Sequence, residues 1–340
     1  MYIINKKNNM NLFKILIITV LVFSINILRA QTIVHDPVVI KQGDTYHLYC
    51  TGPGVTHKTS KDLINWVNED PVFPIIPKWA YNINSKFDGH IWAPDIIESN
   101  GIYYLYYSIS AFGKNTSAIG VATNKSLLKN DINNKWIDHG AIIESVPNRD
   151  NWNAIDPNII FDENNIPWMS FGSFWGGMKL VKLNHDLITI HPDNEWYTIA
   201  RRERSFKLPD SSPGDAAIEA PFIYKKNGYY YLFVSWDLCC RGPKSTYKVV
   251  VGRSKTLQGP YLDKNNKPMF NGGGALVVEG NNEWYGIGHN SVYDFNDKTY
   301  YFSHAYDSKL DGKPILQVFE LNFDDQDWPI KIDLRDRYKI

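Results

Sequence analysis

One line of sequence is written five times in this chain, and a repeated strand–turn–strand unit can bury its apolar faces only against its own copies. The first copy runs from His35-Asp36-Pro37 to Gly43-Asp44-Thr45-Tyr46-His47-Leu48-Tyr49, the second from Trp92-Ala93-Pro94-Asp95 to Asn100-Gly101-Ile102-Tyr103-Tyr104-Leu105-Tyr106. The third joins Ile155-Asp156-Pro157 to Asn165-Ile166-Pro167-Trp168-Met169-Ser170-Phe171. A fourth joins Ile218-Glu219-Ala220-Pro221 to Asn227-Gly228-Tyr229-Tyr230-Tyr231-Leu232-Phe233, and a fifth Gly288-His289-Asn290 to Asn296-Asp297-Lys298-Thr299-Tyr300-Tyr301-Phe302. The spacing is roughly 60 residues, long enough for one supersecondary unit and too long for a coil of a β-helix.

An alternating strand follows each aromatic hairpin, as in Ala118-Ile119-Gly120-Val121-Ala122 and Tyr247-Lys248-Val249-Val250-Val251. A fourth strand is expected near Trp136-Ile137-Asp138 and Trp196-Tyr197-Thr198-Ile199. Asn-Gly and Gly-Asp turns between such runs, with no amphipathic helical period, indicate an all-β protein. Four short strands per unit, arranged radially, make a propeller. Five units predict a five-bladed β-propeller over residues 31–340 as a single domain, because no linker or low-complexity stretch interrupts it.

Residues 1–30 are expected to be a signal peptide. Lys6, Lys7 and Lys14 precede an apolar run from Ile15 to Ile27 that is short for a membrane span, and Ala30 offers a small residue for cleavage. The mature chain is then secreted, without membrane anchoring. Thirty-six basic residues balance 36 acidic ones, which leaves no basic stripe for nucleic acid. With 11 Trp, 21 Tyr and 16 Phe, a neutral secreted protein fits carbohydrate, whose apolar ring faces stack on aromatics. Three cysteines cannot make a disulfide framework. Cys239 and Cys240 either close a vicinal disulfide or sit as two small residues on a loop.

The five lines diverge where they begin, into Asp36, Asp156, Glu219 and His289. If these residues open equivalent inner strands, the fold gathers them at one mouth of the central channel, across about 250 residues of sequence. Carboxylates crowded there cannot all titrate normally; one is pushed up while another stays ionised. Glycoside hydrolysis uses such a pair, one carboxyl protonating the leaving oxygen and the other activating water or attacking the sugar. An acid beside proline is otherwise only a turn former, a reading that three acids at the start of three aromatic hairpins make the weaker one. No His/Cys cluster has zinc spacing.

These motifs, with Phe87-Asp88-Gly89-His90-Ile91-Trp92-Ala93-Pro94-Asp95, Asn153-Ala154-Ile155-Asp156, Ser235-Trp236-Asp237-Leu238-Cys239-Cys240-Arg241-Gly242 and Gly286-Ile287-Gly288-His289-Asn290, resemble glycoside hydrolase family 43, and within it the endo-α-1,5-L-arabinanases. The resemblance spans the mature chain. It implies an inverting hydrolase that cuts internal bonds of arabinan, a pectin side chain. Asp36 is then the general base, Glu219 the general acid, and Asp156 the residue that tunes and orients that acid, with base and acid roughly 6.5–9.5 Å apart to admit water. The resemblance also implies sugar contacts from Asp36, Trp92, Phe112, Gly113, Asn153, Asp156, Ser173 and Trp175. It further implies a largely hydrated cation, usually calcium, near His289, although a lone imidazole is a poor calcium ligand. The protein is expected to be a monomer with no organic cofactor. The rivals are an exo-acting relative on the same scaffold (exo-arabinanase, arabinofuranosidase or β-xylosidase), a non-catalytic sugar-binding propeller, and a retaining fructan-type hydrolase. The last is disfavoured by His35, which stands where that class has Asn.

Overall fold

The computed structural model describes residues 31–193, 195–209 and 211–339; the expected signal peptide lies outside them. Thr32–Ile340 form one compact unit, and its strands form five antiparallel sheets in chain order. The first blade holds Val38–Gln42, Thr45–Cys50, Thr56–Ser60 and Val67–Asn68. In the second, His90–Ser99, Ile102–Ile109, Ser117–Asn124 and Ile137–Ser145 are joined by the short strand Gly52–Pro53. The third is Asn158–Phe161, Pro167–Phe171, Met178–Lys182 and Tyr197–Ala200. The fourth is Ile218–Lys226, Tyr229–Trp236, Lys248–Ser254 and Ala275–Glu279. Trp284–Phe295, Lys298–Asp307 and Lys313–Glu320 make the fifth.

The hairpins form where the turn residues tolerate left-handed backbone. Asn100-Gly101, Asn227-Gly228 and Asn296-Asp297 all have positive φ at both positions, the type I′ geometry whose twist matches that of the flanking strands. Beyond each turn the aromatic strand is buried on both faces. In Tyr229–Trp236, Tyr231 and Phe233 pack toward the fifth blade, while Tyr230, Leu232 and Val234 pack toward the third. Period-two alternation thus divides one strand between two cores. Five apolar clusters result, one between each consecutive pair of blades and one between the last blade and the first. Each fully buried aromatic or aliphatic side chain contributes about 1.5–3 kcal/mol.

The fifth blade has three strands of its own, not four. Its outer edge is covered by the chain's first described residues: Ile33 bridges Ile315, Leu316 donates to Thr32 O at 2.8 Å, and Val34 donates to Pro314 O at 3.2 Å. The ring is therefore closed by backbone hydrogen bonds between its two ends. First strands of neighbouring blades touch one another, so they line the axis, and their N-terminal ends converge.

Candidate active site

The convergence is built on a backbone conformation repeated in every blade. Asp36, Ala93, Asp156, Ala220 and His289 have φ of 55°, 42°, 59°, 55° and 50°, each a cost of order 1–3 kcal/mol for a non-glycine residue. The sheet register shifts there, between Trp92 and Asp95, Glu219 and Phe222, and Gly288 and Ser291. These bulges turn the side chains into the channel mouth. They also correct the expected equivalence. The left-handed residue of the fourth blade is Ala220, and Glu219 stands one position earlier, level with His35, Trp92, Ile155 and Gly288. Acids therefore enter the mouth from two adjacent rows.

Each strained residue is stapled to the preceding blade through its own N–H. Asp36 donates to His304 Nδ1 (3.1 Å), Ala93 to Thr51 Oγ1 (2.7 Å), Asp156 to Ser108 Oγ (3.1 Å) and His289 to Ser235 Oγ (2.8 Å). The third blade has Gly172 where the others carry Thr51, Ser108, Ser235 and His304. Its φ of 130° would strain any side chain, and the carbonyl of Gly177 lies 3.0 Å from where a Cβ would stand. Asp156 Oδ2 takes over the role and accepts the Ala220 N–H at 3.1 Å. One carboxylate thereby holds the backbone next to Glu219.

Asp36 is buried and held by three side-chain donors. His35 Nδ1 lies 2.8 Å and His289 Nδ1 3.0 Å from its Oδ1, and the Thr51 hydroxyl donates to Oδ2 at 2.5 Å. Burial alone pushes this carboxyl up, but the imidazoles of His289 and His35 outweigh it and hold Asp36 well below the usual carboxylate range. His289 moves the other way. Burial opposes its charge, yet Asp36, Asp156 and Glu219 raise it to about 9. Asp156 is raised to about 8 by burial, with the charges of Glu219 and Asp36 adding to the shift and His289 opposing it. Glu219 Oε2 accepts the Ser173 hydroxyl at 2.8 Å, and Oε1 accepts that of Tyr247 at 2.6 Å. Tyr247 reaches it because its ring packs over Gly288, where a Cβ would stand 2.1 Å from the ring.

Every residue expected at the site lines one cavity of about 940 Å³: Asp36, Trp92, Phe112, Gly113, Asn153, Asp156, Ser173, Trp175, Glu219 and His289. Phe112 is 76% exposed, as a stacking platform must be. Trp175 is buried at 4% yet borders the cavity. Asn153 is buried, its Oδ1 accepting the Ser117 hydroxyl at 2.6 Å. His289 brings one ring nitrogen to the Asp36 carboxylate and belongs to no cluster of three close His, Cys, Asp or Glu donors among the described residues.

Sequence reasoning did not find Thr51, Tyr247, His304 or Tyr306. The first and third hold one position in the repeat, just beyond the aromatic strand, where a recurring hydroxyl or imidazole was the available signal. Cys239 and Cys240 are joined as a vicinal disulfide on the cavity wall.

The chain matches glycosyl hydrolases family 43 over residues 30–329. It is 53% identical over 299 residues to an extracellular exo-α-(1→5)-L-arabinofuranosidase of Cellvibrio japonicus, covering 88% of this chain and 86% of the relative. An extracellular endo-α-(1→5)-L-arabinanase of Bacillus subtilis is 41% identical over 306 residues, with 88% of each chain covered. Among solved structures, an α-L-arabinanase of Cellvibrio cellulosa complexed with arabinohexaose superimposes with a TM-score of 0.89 at 52% identity, covering 90% of this chain and 97% of that one.

Proposed function

The chain belongs to glycosyl hydrolases family 43, and from that premise we propose that it cleaves internal α-1,5-L-arabinofuranosidic bonds of arabinan with inversion. The observation that carries the chemistry is the different tethering of the acids in one cavity. Asp36 is ionised by two imidazoles and Glu219 is positioned by Ser173 and Tyr247. Asp36 Oδ1 takes both imidazole donors and Oδ2 a single hydroxyl, so Oδ2 keeps acceptor capacity for the attacking water.

Asp36 removes that water's proton as its oxygen bonds to the anomeric carbon, while Glu219 delivers a proton to the departing glycosidic oxygen. Asp156 holds Ala220, and with it the strand that presents Glu219. Phe112 and Trp92, which line the same cavity, offer ring faces to the sugars. No step runs through a cation at His289. Arabinan meets such a catalyst outside the cell, in keeping with the extracellular relatives and with a secreted monomer. Among the described residues no helix is long and apolar enough to cross a membrane.

Cleavage from a chain end is the second reading, favoured by the 53% identity to an exo-acting relative. The product profile over time on linear α-1,5-arabinan separates the two. A ladder of oligosaccharides is expected; one fixed small product from the first time point overturns internal cleavage. Glu219→Gln should lower kcat on the polysaccharide by about 10²–10⁴-fold, the usual worth of a general acid, with the fold retained by circular dichroism. Wild-type rates in that variant would remove Glu219 from the mechanism.

A further inference from the structure

Behind Asp36 lies a hydrogen-bond chain whose proton positions follow from counting donors. His304 is fully buried, and burial holds its pKa well below the usual imidazole range, so the ring is neutral. Its Nδ1 accepts the Asp36 N–H. The single ring proton therefore sits on Nε2, 3.2 Å from the Tyr306 hydroxyl oxygen, and is donated to it. The same oxygen accepts the N–H of Cys240 at 2.7 Å. The Ser245 hydroxyl, whose Oγ accepts the Arg241 N–H at 3.1 Å, is a further donor to that oxygen; with these donors received, the hydroxyl proton of Tyr306 points to His35 Nε2, at 3.0 Å. An acceptor at Nε2 leaves the His35 proton on Nδ1, which faces Asp36 Oδ1 at 2.8 Å. His35 and His304 stack with ring centroids 3.8 Å apart, which fixes the plane of the donor.

We propose that Tyr306 and His35 are positioning residues for hydrolysis: Tyr306, saturated by His304 and by the Cys240 N–H of the vicinal disulfide loop, fixes the His35 tautomer that orients the Asp36 carboxylate. The proposal rests on Asp36 being the base. Neither side chain exchanges a proton with substrate; each acts through the next. The disulfide loop enters through its backbone, because Cys240 contributes an N–H and the turn that aims it, while its Sγ stands 3.7 Å from His35 Nε2.

The test is steady-state kinetics on linear α-1,5-arabinan for Tyr306→Phe, His35→Leu, His35→Asn and Asp36→Asn, with thermal melts of each. Losing one hydrogen bond to a charged group should lower kcat about 10- to 100-fold in Tyr306→Phe and His35→Leu, with KM within about twofold of wild type. His35→Asn should recover most of the loss, because an Asn amide N–H can stand where Nδ1–H stood. A merely structural role predicts equal damage from Leu and Asn. If Tyr306→Phe does not fold, the two His35 variants still decide. Wild-type kcat in His35→Leu, a rise in KM with kcat unchanged, or His35→Asn as poor as His35→Leu overturns the proposal. Activity surviving in Asp36→Asn instead overturns the assignment of the base, a separate outcome.

Discussion

At the residue scale, the site is an arrangement of charges in which each group's titration is set by the others. His289, raised to about 9, binds its proton more tightly folded than unfolded, where its ordinary value is 6.5. Its stabilisation is complete below 6.5 and is lost as pH rises through 9. Asp156, raised to about 8 from 3.8, likewise holds a proton in the folded state that the unfolded chain has released. The Asp156 term makes stability fall from pH 3.8 to 8 and the His289 term from 6.5 to 9, so both act between 6.5 and 8, where the native state binds more protons. Asp36, held low, contributes stability that is lost only in acid, as pH falls below its ordinary 3.8. Melting temperature should therefore decline from pH 6.5 to 9, and Asp156→Asn should flatten the decline. An unchanged slope in that variant would remove Asp156 as a source. The acids themselves were legible in the sequence, because each stands within two residues of a proline at the head of a repeated hairpin. Their tethers were not, because Thr51, Tyr247 and Tyr306 lie on or next to other strands and become neighbours only through the ring.

At the element scale, the inner strand and the hairpin behind it do different work. The hairpin is local: Asn-Gly and Asn-Asp turns and aromatic alternation specify it, and it was readable as written. The strand's first residues depend on the preceding blade, which receives their N–H. Removing one staple leaves a buried donor unpaired, at about 1–3 kcal/mol. Ser108→Ala should lose that much in urea unfolding and should also lower activity, because the orphaned N–H belongs to Asp156. A loss of stability without a loss of activity would make the staple purely structural. The one-residue offset of Glu219 is marked only by proline spacing: Pro directly follows Asp36, Ala93, Asp156 and Ala220, and stands two residues after Glu219. The bulge itself adds a residue to one strand without a marker in composition.

At the scale of the whole molecule, stability is shared among five interfaces that exist only when the circle is complete. Residues 32–34 complete it as the outer strand of the last blade, with Val34 buried between first and last. A chain beginning at His35 should lose at least the ~1.5–3 kcal/mol of the Val34 side chain and expose the edge of Lys313–Glu320. A lower melting midpoint and concentration-dependent association by light scattering are expected; an unchanged midpoint would show that the closure is dispensable. By itself the sequence determined the blade number, the strand order within a blade and the identity of the acids, because those follow from turn chemistry, period-two burial and repetition over short distances. Only the tertiary structure decided which acid is held ionised and which is pushed up, because charge interactions depend on separations of a few ångströms between residues far apart along the chain. It also decided that both rows of acids face one channel mouth, since bulges whose strained backbone is held from the neighbouring blade turn the side chains there.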